Sequence, residues 1–334
     1  MASDTVYFNA HSSTTLPSGR TYSHVHIVPT GDKPYILFLH GFPGTSYLWR
    51  HQIAHFSACG YGIVVPDLLG YRGSDKPAEL EAYRLKKMAE DVITLLEMLG
   101  VGNCFAVAHD WGSFLLSRIA NYYPDRFLAF TWLAIAYSPP SGPFSVDKIN
   151  ADSEREIGYP FFGYWEFFND PKTVELVDHN VESFLTLQFA SDPEQVKTSF
   201  CPYGTARAWV AAGKTSPLPS FISPAEFKTH SSFFSPSYGG SFGPPLNWYK
   251  AMLSNVNLAD DATIPPQNHH ISKPTLFIAC AKDYVAVPRL QEQGMRPWVK
   301  DLRVKELDSA HWVQLQRRVE VNRALQGFFD EVEG

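Results

Sequence analysis

The chain has 334 residues, 45% of them hydrophobic and 19% charged, so it is long enough to bury a large core and too apolar to stay disordered. Lys and Arg number 28 against 34 Asp and Glu, and the net charge of −6 offers no basic field to a nucleic-acid backbone. Its most apolar run, 127–137, is shorter than the roughly 20 residues of a spanning helix, and the N-terminus lacks a basic, apolar leader, so a soluble cytoplasmic protein without a membrane span is expected.

In chain order, 5–8 and 23–28 read as an antiparallel start to a sheet. Short β-rich runs follow at 35–40 (YILFLH), 62–66 (GIVVP), 104–108 (CFAVA), 127–136, 275–281 (TLFIACA) and 302–307. Helix-period segments lie between and after them: 86–99, strongly amphipathic and stopped by Gly100, then 113–123, and finally 313–332. Alternation of this kind predicts an α/β fold with a mostly parallel sheet covered on both faces. From 139 to 250 the strand rhythm gives way to helical pieces broken by Pro and Gly, with a loop-rich stretch at 231–245. The expected organisation is a core of 1–138 and 251–334 carrying an insertion of 139–250. The insertion holds 21 of the chain's 48 aromatic residues in 112 positions. Such an excess either builds the insertion's own core or lines a site beneath it.

Cys59, Cys104, Cys201 and Cys280 form no close pair, and two of them lie inside apolar strands, which suits small core residues better than a disulfide or zinc framework. No Walker loop, Gly-x-Gly-x-x-Gly turn or His-Glu-x-x-His helix occurs, so neither cofactor nor metal is expected.

The strand 104–108 runs into Ala108-His109-Asp110-Trp111-Gly112 and then a helix. Small residues flanking a central nucleophile describe a nucleophile elbow, here with Asp110 where Ser is commonest. A carboxylate at a helix N-terminus keeps its charge, although Asp is also a common helix cap. His40-Gly41-Phe42-Pro43-Gly44 follows the strand 35–40, and its loop should lie beside the elbow. The N–H groups of Phe42 and Trp111 would then converge as an oxyanion hole. Asp283 follows the strand 275–281 and His311 the strand 302–307. Taken singly, each could be a turn or packing residue. Their order, Asp110, Asp283, His311, is that of nucleophile, acid and histidine in α/β-hydrolases. No Gly-x-Ser-x-Gly is present, so a serine esterase lacks its nucleophile. The loop Gly70-Tyr-Arg-Gly-Ser-Asp75 and the preceding Asp67 are read as structural.

Together these motifs resemble the epoxide hydrolases of the α/β-hydrolase superfamily, and the likeness covers nearly the whole chain. Phe162-Gly-Tyr164-Trp-Glu-Phe-Phe168 looks like the lid segment with that family's first proton-donating tyrosine, and Asn247-Trp248-Tyr249 like the segment with its second. The resemblance is to the compact members of fungi, bacteria and plants, without the phosphatase-like domain of mammalian soluble enzymes or the anchor of microsomal ones. It implies an eight-stranded sheet flanked by helices, a mainly helical lid, and a two-step opening of a small epoxide with water to a vicinal diol. Asp110 would be the nucleophile, Tyr164 and Tyr249 the acids, and His311 with Asp283 the activators of water. Phe42 and Trp111, with His40, Gly41 and Pro43, would form the oxyanion and substrate-binding loop. Dehalogenation by the same nucleophile is the closest rival, but haloalkane dehalogenases characteristically place Asn where Phe42 stands. A ligand-binding scaffold without turnover would need none of the three residues together. Which epoxide and enantiomer, monomer or homodimer, and a detoxifying, catabolic or biosynthetic role are left open by the sequence.

Overall fold

The computed structural model describes residues 2–334. Eight strands form one sheet: β1 (His11–Thr15), β2 (Thr21–Ile27), β3 (Tyr35–Leu39), β4 (Gly62–Pro66), β5 (Cys104–His109), β6 (Phe127–Leu133), β7 (Thr275–Cys280) and β8 (Leu302–Leu307). Their spatial order is β1-β2-β4-β3-β5-β6-β7-β8. The pairs β1/β2 and β2/β4 are antiparallel and every other pair is parallel. Each residue of β4, β5 and β7 is buried, which is why these strands read as unbroken apolar runs.

Alternation along the strands feeds two cores. Leu37, Leu39, Ala106 and Ala108 face a layer containing the helices Leu85–Met98 and Trp111–Tyr122, while Ile36, Phe38, Phe105 and Val107 face the helices Arg50–Ala58 and Arg318–Glu333. Between β6 and β7 the described chain forms no strand. Its longer helices there are Val146–Ile157, Tyr164–Asn169, Thr173–His179, Val181–Gln188, Thr205–Ala211, Pro224–Ser232 and Gly243–Leu253. The expected loop stretch 231–245 thus contains the end of one helix and the start of another. No helix among the described residues is long and apolar enough to cross a membrane.

Three expectations are corrected. Residues 5–8 belong to a helix, Ala2–Asn9, and the edge strand is the polar run His11–Thr15. Helical spacing puts Asp4 and Tyr7 on one face, where Asp4 accepts from the Tyr47 hydroxyl at 2.9 Å and Tyr7 meets Ser46 Oγ at 2.8 Å. Strand β6 stops at Leu133 rather than 136 because Ala134 takes a left-handed conformation, φ 61°. The C-terminal helix is interrupted at Arg317, whose φ and ψ of −121° and 42° separate Val313–Gln316 from Arg318–Glu333.

Candidate active site

In this sheet the chain leaves β3 toward β4 on one side and reaches β5 on the other, so a crevice opens beyond their carboxyl ends. Leu39 pairs with Ala108, which sets the loop after β3 against the turn after β5. Asp110 occupies that turn at φ 55° and ψ −124°, a conformation that costs a non-glycine residue about 1–3 kcal/mol. Close packing holds it there. A Cβ on Gly112 would lie 2.4 Å from the Leu39 carbonyl oxygen, and one on Gly41 would lie 2.2 Å from Asp110 Oδ1. Only glycine at both positions lets the two loops touch.

The Phe42 N–H donates to Asp110 Oδ1 at 2.7 Å. The other oxygen, Oδ2, lies 3.5 Å from His311 Nε2. On its far side His311 donates from Nδ1 to Asp283 Oδ2 at 2.6 Å. Asp283 is itself fixed, because its Oδ1 accepts from the N–H groups of Val285 and Ala286 at 2.9 and 3.0 Å. Pairing of Cys280 with Leu307 in β7 and β8 brings the two loops carrying Asp283 and His311 side by side. His109 adds a backbone tie, donating from Nε2 to the His311 carbonyl at 2.8 Å.

The electrostatics follow from this layout. Burial disfavours a charged His311, yet Asp283 and Asp110 outweigh it and raise its pKa to about 10. Burial likewise acts against the Asp110 carboxylate, but His311, His109 and the Phe42 N–H hold its pKa below the usual value. His109 moves down to about 3, through burial first and then the neighbouring His311. Both shifts favour a protonated His311 beside an ionised Asp110.

Tyr164 and Tyr249 come from helices far apart in the chain, and their rings meet edge to face with centroids 6.2 Å apart. Tyr164 stacks on Phe200 at 4.0 Å. Tyr249 packs edgewise on Phe42, Phe168, Trp165 and Trp111 at 4.8–5.1 Å. Its helix is anchored by the Trp248 indole N–H, which donates to the Leu69 carbonyl at 2.9 Å. Burial drives both phenols well above their ordinary pKa, with Asp110 adding to the effect, so both stay protonated. A narrow cavity of about 30 Å³ joins Asp110, His311, Tyr164, Tyr249 and Phe42.

The remaining expected site residues lie behind this cavity. His40 is fully buried, accepts from the Leu68 N–H at Nε2 (2.9 Å) and contacts the Gly41 carbonyl through Nδ1 (3.0 Å), which makes it a brace for the loop. Pro43 offers its carbonyl to His230 Nε2 at 2.8 Å. Trp111 opens its helix, in the turn whose N–H groups have no intrahelical acceptor. Asp67, read as structural, is buried and accepts from Ser46 N–H, Ser46 Oγ and Ser23 Oγ at 2.9, 2.7 and 2.6 Å.

A family model described as the alpha/beta hydrolase fold matches residues 34–317. The chain belongs to the α/β-hydrolase family. Among curated relatives, bifunctional epoxide hydrolase 2 of Sus scrofa is 26% identical over 306 residues, covering 90% of this chain and 52% of that protein. The chain therefore spans about half the length of that relative and its mouse and rat counterparts. Epoxide hydrolase 3 of Siraitia grosvenorii is 28% identical over 324 residues, covering 92% of this chain and 95% of that one. The solved structure of an epoxide hydrolase from an endophytic Streptomyces superposes with a TM-score of 0.81 at 27% identity, over 97% of this chain and 96% of that chain.

This α/β-hydrolase also has site residues that the sequence did not single out. Gln188, Val196 and Phe200 line the cavity, and the Trp312 indole N–H donates to the Gln188 carbonyl at 2.8 Å. His230 ties the insertion to the loop after β3. A lone Gln at a helix end and a lone His carry no sequence signal of their own.

Proposed function

We propose that this α/β-hydrolase opens epoxides to vicinal diols through an ester on Asp110, and that 139–250 acts as the lid over a core of 1–138 and 251–334. The observation that carries this reading is that two phenols, Tyr164 and Tyr249, line one narrow cavity together with Asp110 and His311. In the first step Asp110 Oδ2 bonds to an epoxide carbon and the ring C–O bond breaks. Tyr164 and Tyr249 bind the ring oxygen and one gives it a proton. Oδ1, held by the Phe42 N–H, becomes the ester carbonyl.

Neutralising Asp110 then changes its neighbours. The Asp110 charge, which adds to burial in raising both phenols, disappears, which eases formation of the tyrosinate, and His311 loses one of the two carboxylates that raise its pKa. The proton balance closes when His311 gives up its proton and the tyrosinate is reprotonated by way of solvent. Neutral His311, oriented by Asp283, takes a proton from water while the water oxygen adds to the Asp110 carbonyl carbon. The oxyanion forms at Oδ1 against the Phe42 and Trp111 N–H groups. Collapse breaks the acyl C–O bond, the leaving oxygen takes the proton from His311, and the carboxylic acid left on Asp110 passes its proton to His311, which restores the starting pair.

The aromatic lining suits apolar or aryl epoxides. The test is turnover of styrene-oxide-like, aliphatic and fatty-acid epoxides in labelled water, scoring halide release from haloalkanes in parallel. Diol formation with solvent oxygen entering Asp110 over repeated turnovers is expected. Label in the diol but never in Asp110 would overturn the ester. Replacing both tyrosines with Phe should lower turnover by at least about 10³-fold, and unchanged turnover would remove them from the mechanism.

A further inference from the structure

In the ester mechanism the alkyl group of the intermediate fills the cavity in which the ester forms. Packed against Tyr164, Tyr249 and Phe200, it excludes water from that side, yet the second step consumes one water at His311. A second cavity lies beyond His311. It measures about 20 Å³, enough for a single water, and Gln188, Val196, His311 and Trp312 line both spaces and so form the wall between them. The second cavity is also lined by Asp283, by Lys282, whose side chain is 54% exposed, and by Tyr284, whose hydroxyl donates to Glu194. Its lining therefore joins an exposed lysine to His311.

The chemistry of that wall is specific. A buried water needs two to four polar partners, and this cavity is lined by the Gln188 amide and by the Asp283 carboxylate, whose oxygens keep a lone pair beyond the three N–H groups they accept. Gln188 Nε2 is buried and has no hydrogen-bond partner among the described residues, a condition that native proteins resolve with water or ligand. Asp110, Tyr164, Tyr249 and His311 are all used by the reaction, and the Trp312 indole N–H is spent on the Gln188 carbonyl. Gln188 is thus the polar side chain of the wall left without a task.

Given an ester on Asp110, we infer that the second cavity is the station from which water reaches His311 during ester hydrolysis, and that Gln188 is the positioning residue that holds this water. The step balances with one water consumed and one diol released.

Single-turnover kinetics on the full chain separate the two steps, with tryptophan fluorescence reporting on Trp111 and Trp165 near Asp110, and with the epoxide that the wild type turns over fastest as probe. In Gln188→Met, alkylation is expected to stay within threefold of wild type while hydrolysis slows at least tenfold, so that the ester accumulates as an added mass on the intact chain. Ala190→Leu, which fills the second cavity without touching the amide, should give the same split and carries the test if Gln188→Met does not fold. Unchanged hydrolysis in the folded variants, or alkylation and hydrolysis falling together, would overturn the inference. A wild type that never forms the ester would overturn the ester reading itself, and this inference with it.

Discussion

Asp110 holds its two oxygens in different surroundings, and that difference assigns their tasks. Oδ1 is tied to the Phe42 N–H, whereas Oδ2 faces His311 and the cavity. The spacing of sequence motifs could name the aspartate but not divide its oxygens, because the division depends on two loops 68 residues apart meeting at 2.7 Å. His311→Gln leaves the proposed nucleophile in place and removes the proposed base. One equivalent of epoxide should then bind covalently, read as an intact-mass increase equal to the epoxide with steady turnover down by at least about 10³-fold. Release of diol at the wild-type rate would rule out His311 as the base. The same residue carries a stability signature. Its pKa of about 10 lies above the ordinary 6.5, so protonation of His311 stabilises the fold fully below pH 6.5 and that contribution is lost as pH rises toward 10. The wild-type unfolding midpoint should fall more steeply than that of His311→Gln between pH 7 and 10, and parallel profiles would contradict the raised value.

The core strands were legible because burial on both faces leaves an apolar run, and the helix 85–98 because it alternates apolar and polar faces, whereas the helix 111–122 is buried nearly all round. The first helix and β1 were not. Residues 2–9 have almost no amphipathic signal, and β1 is a polar edge held by backbone pairing with β2. At this scale the helix Pro224–Ser232 is docked by Glu226, which completes a capping box with Ser223 and takes a forked contact from Arg50 at 3.0 and 2.8 Å. Burial disfavours the Glu226 carboxylate, but the Ser223 N–H and Arg50 bring its pKa down to about 2. The pair therefore stabilises above the ordinary carboxylate range, and its contribution is lost as pH falls toward 2. Glu226→Gln should cost about 2 kcal/mol and raise hydrogen exchange across 223–232, since it leaves the buried Arg50 with only the Tyr47 carbonyl and the more distant Asp4 carboxylate. Unchanged exchange there would show that the contact does not secure the helix. Gly112→Ala should prevent β3 and the elbow from closing, seen as a large loss of soluble folded protein. A stable and active Gly112→Ala would refute the close approach.

One hydrophobic cluster runs from the sheet through the elbow into the insertion, joining Leu39, Ala108 and Trp111 to Trp165, Leu246 and Tyr249. An insertion that shares its core with the sheet should unfold with it. Far-ultraviolet and tryptophan signals are expected to give one coincident denaturant transition, and two separated transitions would mark 139–250 as independently stable.

The sequence by itself determined the α/β class, the order of the parallel core strands along the chain, and the placing of three candidate residues, Asp110, Asp283 and His311, each just beyond a strand. Those properties are local: they follow from burial of short apolar runs and from turn chemistry that needs particular residue types. Only the tertiary structure decided that Phe42 meets Asp110, that Tyr164 and Tyr249 share one cavity with it, and that Gln188 stands between two spaces at His311. Those properties arise where distant segments cross, through packing and hydrogen bonds whose partners have no fixed separation in sequence.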